Sequence, residues 1–404
     1  MKLKTPIYIA TLLTILHTSC VAQQVRVNQA FDHAIKQTKI LLEEIEKNKT
    51  TAKPELVSPR TIENGKLKLV ASKDWTSGFF PGVLWYLYEF SQDKGWLPEA
   101  REYSAAIEAE KNNGVTHDMG FKVYCSIGNG YRLTNDSHYR DILITAAKTL
   151  ATRFNPKTGV ILSWDHSRDK WVNPVIIDNM MNLELLFETT KLTGDSSLYK
   201  IAVSHANTTI KNHFRADYSS YHVIDYDPNT GVVLKKNTHQ GYSHESAWAR
   251  GQAWALYGYT MAYRYTKDPV YLKQAENVAK FILNHPNLPK DMVPYYDFNA
   301  PGIPNEPRDA SAAAVISSAL YELAQYSNEG KTYHKKAGQI LQSLATKYIA
   351  PVGSAFGFIL LHSTGSKPGN SEIDVPLSYA DYYYLEALLR YKNSFVPGND
   401  AHNK

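Results

Sequence analysis

The stretch TKLTGDSSLY, residues 190–199, decides how the chain is read, because its layout recurs. YRLTNDSHY (131–139), YRYTKDPVY (263–271) and AQYSNEGKTY (324–333) repeat it. In each, one apolar-periodic segment ends, a Thr/Ser-x-Asp/Glu cluster turns the chain, and the next segment starts near a Tyr. Asp or Ser in such a turn can cap the helix that follows. The markers Thr134, Thr193, Thr266 and Ser327 lie 59, 73 and 61 residues apart. A period of about 60 residues holds one helical hairpin and a long loop.

Outside these junctions, apolar residues recur at i, i+3 and i+4 and few runs alternate, so the chain reads as all-α. The expected hairpins pair 77–93 with 97–111, 119–134 with 136–154, 178–193 with 195–213, 245–266 with 268–285, and 308–327 with 331–348. One helix is left at each end, 26–48 and 376–393; pairing the two closes a toroid of six inner and six outer helices. SAAAVISSALYEL (311–323) is apolar nearly all round, as an inner helix must be, whereas FDHAIKQTKILLEEIEK (31–47) is amphipathic and charged, as suits an outer one. An open helical array is the alternative.

Composition narrows the function. The 404 residues are 43% hydrophobic and 21% charged, with a formal charge of +5 that falls to +3 without residues 1–22. That excess is too small for nucleic-acid binding and is compatible with an acidic small substrate. The chain holds 28 Tyr and 7 Trp, side chains that stack on sugar rings as well as fill cores. Lys2 and Lys4 precede an apolar run, Ile7 to Leu16, then small residues, which reads as an export signal with cleavage after Ala22. Cys20 is an alternative lipid-anchored first residue. Either start places the protein in the periplasm or on the outer membrane. Residues 23–396 form the expected single catalytic domain, with no transmembrane span, and Cys125 is left without a disulfide partner. HExxH, CxxC, EF-hand, P-loop, GxGxxG and nucleophile-elbow patterns are absent, so neither metal nor cofactor is expected, and carboxylates are left to do the chemistry.

Polar and aromatic residues gather at the starts of the inner helices and in the loops before them: 73–85, 114–121, 175–182, 238–254, 306–312 and 374–388. In a toroid these ends face one mouth. Asp178 stands out, between Val-Ile-Ile and Met-Met; apolar flanks raise a carboxyl pKa. Asp118 and Asp178 also fit plain helix caps, and Arg250 could serve only to satisfy a loop carboxylate.

The strings WTSGFFPGVLW, HDMGF, IDNMMNLELLF, QGYSHESAWARGQAW, RDASAAA and YADYYYLEALLR, in that order over roughly residues 70–390, resemble the unsaturated glucuronyl hydrolases of glycoside hydrolase family 88. The resemblance implies an (α/α)6 barrel that acts on unsaturated uronic acid oligosaccharides, the products of polysaccharide lyases. It implies hydration of a C4=C5 double bond instead of direct glycosidic displacement, so carboxylate spacing does not predict stereochemistry. It assigns Asp178 as general acid/base and Asp118 as the second essential carboxylate. Trp75, His117, His222, Thr238, Gln240, Trp248, Arg250 and Trp254 become substrate contacts. Lys236 stands where the family often has Gly, and adds a candidate sulfate or carboxylate contact. Ser363, Ser366 and Lys367, in HSTGSKPGNSEID (362–374), match a sulfate-binding loop of some members, except that Lys367 comes one residue early; a plain Gly/Pro/Ser turn explains the same string. A rhamnogalacturonyl hydrolase and a non-catalytic glycan-binding protein are the competing readings.

Overall fold

The computed structural model of the chain describes residues 25–49 and 53–394. The expected export signal, Cys20 and residues 23, 24, 50–52, 395 and 396 of the expected domain lie outside them. Twelve α-helices are described: α1 Val27–Asn48, α2 Phe79–Ser91, α3 Trp96–Ala105, α4 Asn129–Thr134, α5 Ser137–Ala151, α6 Asn179–Thr193, α7 Ser196–His213, α8 Ala249–Thr266, α9 Pro269–Asn284, α10 Ala310–Leu323, α11 Gly330–Lys347 and α12 Ser378–Ser394. A π-helical segment, Gly120–Gly128, runs straight into α4.

The repeated junction has a physical basis. The hydroxyls of Thr134, Thr193 and Thr266 donate to the carbonyls four residues back, at 2.6, 2.7 and 2.8 Å. Each also accepts the N–H of the Asp two residues on. Asp136, Asp195 and Asp268 then cap the next helix by accepting the N–H of its second residue. A left-handed residue makes the corner: Asn135, Gly194 or Lys267. In the fourth junction Ser327 Oγ accepts the Glu329 N–H but donates to Glu276 Oε1 at 2.6 Å, and Glu329 makes no side-chain cap.

The ring closes. α2, the π/α4 segment, α6, α8, α10 and α12 each pack on the next, and α12 packs back on α2. α8, α10 and α12 are buried over nearly their whole length. Inner helices approach closely because small residues allow it. A Cβ on Gly258 of α8 would lie 2.5 Å from the Cβ of Met180 on α6, and one on Gly120 would lie 2.6 Å from the Cα of Asn182. α1 is the outer partner at the seam. Its Phe31 stacks on Phe90, and Gln37 Nε2 donates to Phe358 O at 2.7 Å.

Three small antiparallel sheets were not expected. β1 (Leu56–Glu63) and β2 (Lys66–Ala71) form a hairpin whose Asn64-Gly65 turn takes positive φ at both residues. β3 (Phe154–Asn155) pairs with β4 (Val160–Ile161). β5 (Pro174–Ile176), β6 (Val223–Tyr226) and β7 (Val233–Asn237) form the third sheet, in that order. It sets Ile176 opposite Val223, so the residues just after β5 lie beside those just before β6.

Candidate active site

A cleft of about 1150 Å³ opens at the end of the barrel where the inner helices begin. Asp178 reaches it from the β5–α6 junction. The residue holds the N-cap position of α6, but its side chain makes no cap bond, which corrects the capping alternative. Its carboxyl is free to face the cleft. Oδ2 is buried without a hydrogen-bond partner, and His222 Nε2 lies 3.6 Å from it. Burial pushes the carboxyl up to about 7; the Asp118 charge adds to this, while His117 and Arg250 oppose it.

The third sheet delivers His222: Ile177 N donates to its carbonyl at 3.0 Å. His222 Nδ1 accepts from His239 N and Gln240 N, at 3.1 and 3.2 Å. The proton of the neutral ring is therefore on Nε2, aimed at Asp178. Burial, first, and the neighbouring His239 hold this imidazole well below its usual pKa.

Asp118 is held differently. Thr116 Oγ1 donates to Oδ2 at 2.6 Å, and His117 Nε2 lies 3.2 Å from Oδ1. Burial alone would raise its pKa, but His117, Thr116 and Lys122 together hold it below the usual range. Two carboxyls of one cleft are thus pushed apart, one toward the acid and one toward the anion. Asp118 stands just ahead of the π-helical segment, a local deformation common near functional sites.

Arg250, at the start of α8, is 1% exposed. Nη1 donates to Asp309 Oδ2 at 2.6 Å and Thr364 O at 2.7 Å, and Nη2 donates to Gly365 O at 2.6 Å. It does satisfy a buried carboxylate, yet it also lines the cleft, and Nε has no partner. Gln240 Nε2 donates to the same Gly365 carbonyl at 2.9 Å.

Aromatic rings wall the cleft on two sides. Trp75 packs on Tyr379 at 4.9 Å and Phe121 at 5.5 Å. Trp164 stacks on His166 at 5.1 Å and meets Trp171 edge-on at 5.6 Å. Such faces suit sugar rings.

A model of Glycosyl Hydrolase Family 88 matches residues 47–390. An unsaturated glucuronyl hydrolase of Formosa agariphila is 56% identical over 326 residues, 80% of this chain and 81% of that protein. The chain belongs to glycosyl hydrolase family 88. An unsaturated chondroitin disaccharide hydrolase of Streptococcus agalactiae is 34% identical over 91% of this chain and 92% of its own. The crystal structure of an unsaturated glucuronyl hydrolase specific for heparin matches with TM-score 0.86 and 47% identity, over 91% of this chain and 97% of that one.

This family 88 glycoside hydrolase brings Trp75, His117, Asp118, Asp178, Thr238, Gln240, Arg250 and Ser366 together on the cleft lining, with His222 directly behind Asp178. Other expected contacts are not on it. Trp254 is fully buried, 5.2 Å from Phe121 and 5.5 Å from Tyr383, as an inner-helix core residue. Trp248 is 2% exposed, between the His222 ring at 4.4 Å and the Arg250 guanidinium at 4.5 Å. Ser363 is buried where its backbone pairs with Val375. Lys367 pairs with Glu306, and its ammonium stands 5.1 Å from the Tyr296 ring centre. Lys236 turns to Tyr221, at 5.0 Å, and its neighbour Lys235 lines the cleft instead. Strand alternation explains that exchange. Arg60, Trp164, Trp171 and Tyr379 line the cleft and were not expected.

Proposed function

We propose that the protein hydrolyses Δ4,5-unsaturated uronyl disaccharides released by polysaccharide lyases, from glycosaminoglycans in particular. The observation that carries this is the buried Asp178 carboxyl, pushed up to about 7 and without a protein hydrogen bond on Oδ2. It can hold a proton at neutral pH for delivery to carbon.

In the proposed reaction, the Asp178 acid gives its proton to C4 and the C4=C5 pair forms the new C–H bond. Positive charge develops at C5 and the ring oxygen, beside the Asp118 anion. Water adds at C5 and its proton returns to Asp178. The C5 hemiketal opens to a ketone, freeing an OH at C1; the resulting hemiacetal then opens to an aldehyde and releases the second sugar. His222 Nε2–H faces the Asp178 anion while the proton is away. Arg250 keeps Nε–H and one Nη2–H after its protein contacts are counted, a pair of donors matched to a planar uronyl carboxylate. The leader of residues 1–22 supports export, with cleavage after Ala22 or acylation at Cys20; the mass of the mature N-terminus distinguishes the two.

The test follows the ultraviolet absorbance of the conjugated ene-carboxylate in lyase-generated heparin, chondroitin, hyaluronan and pectin products. The absorbance is expected to decay with glycosaminoglycan disaccharides; no decay with any of the four refutes the reading. Asp178→Asn is expected to lower kcat by about 10²–10⁴-fold or more while disaccharide binding persists.

A further inference from the structure

The cleft lining carries five Lys and Arg residues: Arg60, Lys73, Lys170, Lys235 and Arg250. Arg60 is consumed by Asp74 and Glu372, and Arg250 by Asp309. Among the described residues neither Lys170 nor Lys235 forms an ion pair, although Asp169 shares their wall. These two lysines are also built into one frame. Lys235 Nζ donates to the Lys170 carbonyl at 2.8 Å. Buried Asp225, which pairs with Lys235 across β6 and β7, accepts Val172 N at 2.9 Å and Asn173 N at 2.7 Å. Trp171 Nε1 donates to Asn237 Oδ1 at 3.2 Å. The backbone of 170–173 is thus clamped to the sheet, while the Lys170 ammonium, 6.0 Å from the Trp171 ring centre, has no carboxylate partner among the described residues.

We propose that Lys170 and Lys235 form a subsite for a sulfo group on the sugar that follows the uronyl unit. The inference rests on the reading of the cleft as a site for unsaturated uronyl disaccharides. In that reading Arg250 meets the uronyl carboxylate, so the cations left without an ion pair among the described residues, Lys73, Lys170 and Lys235, call for a second anion, and of these Lys170 and Lys235 are joined in one frame. A sulfo group is permanently charged and offers three acceptor oxygens, enough for two point-charge donors at once. Lys367, the lysine of the loop that resembles a sulfate site, is engaged with Glu306 and does not line the cleft. The cation for a sulfated sugar therefore comes from the Trp171 wall. β7 alternation selects Lys235 for this role and turns Lys236 away.

The experiment measures disaccharide binding by calorimetry in full-length Asp178→Asn protein, where turnover does not intrude. Unsaturated heparin disaccharides with and without a sulfo group on the hexosamine are the probes. The double variant Lys170→Gln/Lys235→Gln is expected to weaken the sulfated probe at least about fivefold more than the unsulfated one, as loss of charge-assisted contacts near the surface should. Lys170→Arg/Lys235→Arg is expected to keep the preference, and added salt to erode it in the unsubstituted protein. An unchanged ratio between the two probes in the Gln variant overturns the inference, as does failure of both probes to bind. Failure of the unsubstituted enzyme to consume any unsaturated disaccharide overturns the functional reading instead, while the binding ratio still reports on the subsite.

Discussion

Asp178 carries two linked expectations. As the acid it must be protonated, so kcat/KM in the free enzyme should hold on the acid side and fall tenfold per pH unit above about 7. Asp118, held low, stays ionised across that range and sets no limit there. A profile that rises through pH 7 would exclude Asp178 as proton donor. The same shift governs stability. The folded state keeps a proton that the unfolded chain releases near the ordinary Asp value of about 4. Stability from this group is therefore lost as pH rises from about 4 through about 7, and Asp178→Asn should flatten that part of a urea-midpoint profile. Both carboxylates were legible in the sequence because each sits in an informative string, Asp178 among apolar residues and Asp118 beside His117. Trp164, Trp171 and Arg60 were not, because strand and loop pairing brings them to the cleft from segments read only as connections. Trp248 and Trp254, expected as contacts, stand behind the lining, one against His222 and Arg250 and the other against Phe121 and Tyr383, a placement that motif membership does not give.

Among the elements, α10 shows how one residue serves helix and site together. Asp309 Oδ1 accepts Ser311 N at 3.1 Å and Ser311 Oγ, while Oδ2 holds Arg250. Asp309→Ala removes the cap and strands a guanidinium that is 1% exposed. Breaking a buried pair from one side costs about 3–5 kcal/mol. The expected result is a loss of that size in urea unfolding, together with a raised KM as the Arg250 guanidinium loses its carboxylate anchor at the cleft. Asp309→Asn keeps an oxygen for the cap and should lose less stability. A variant with unchanged stability and KM would remove Asp309 from this role. The helical hairpins were legible because the Thr-x-Asp junction satisfies its own backbone with local side chains. The sheets were missed for the opposite reason: β3 and β5 span two and three residues, too few for an alternating pattern, and their partners are set by the fold around them. Local hairpin signals were nonetheless available in the sequence, at Asn64-Gly65 and in the turns NPKTG (155–159) and DPNTG (227–231), whose final glycines take positive φ.

The whole molecule is a closed ring, and closure has a consequence that an open array lacks. Every inner segment has two inner neighbours, α12 meeting α2 at the seam, so no repeat is terminal among the described residues. The sequence carried this to the point of pairing 26–48 with 376–393, but the seam itself rests on contacts such as Phe31 on Phe90, which no repeat predicts. A ring should lose its inner helices together. Far-ultraviolet circular dichroism and tryptophan fluorescence are therefore expected to report one coincident urea transition. Gly258→Val is a direct probe, because its side chain would push into Met180 on the neighbouring inner helix, an overpacking that costs about 1–3 kcal/mol. In a closed ring that local strain shifts both probes by the same amount. An open array would confine the loss to the α6–α8 region and separate the two transitions. The tryptophans suit this comparison: of the seven, Trp85 is buried in α2 and Trp254 in α8, so fluorescence includes two different inner helices while dichroism sums over all of them.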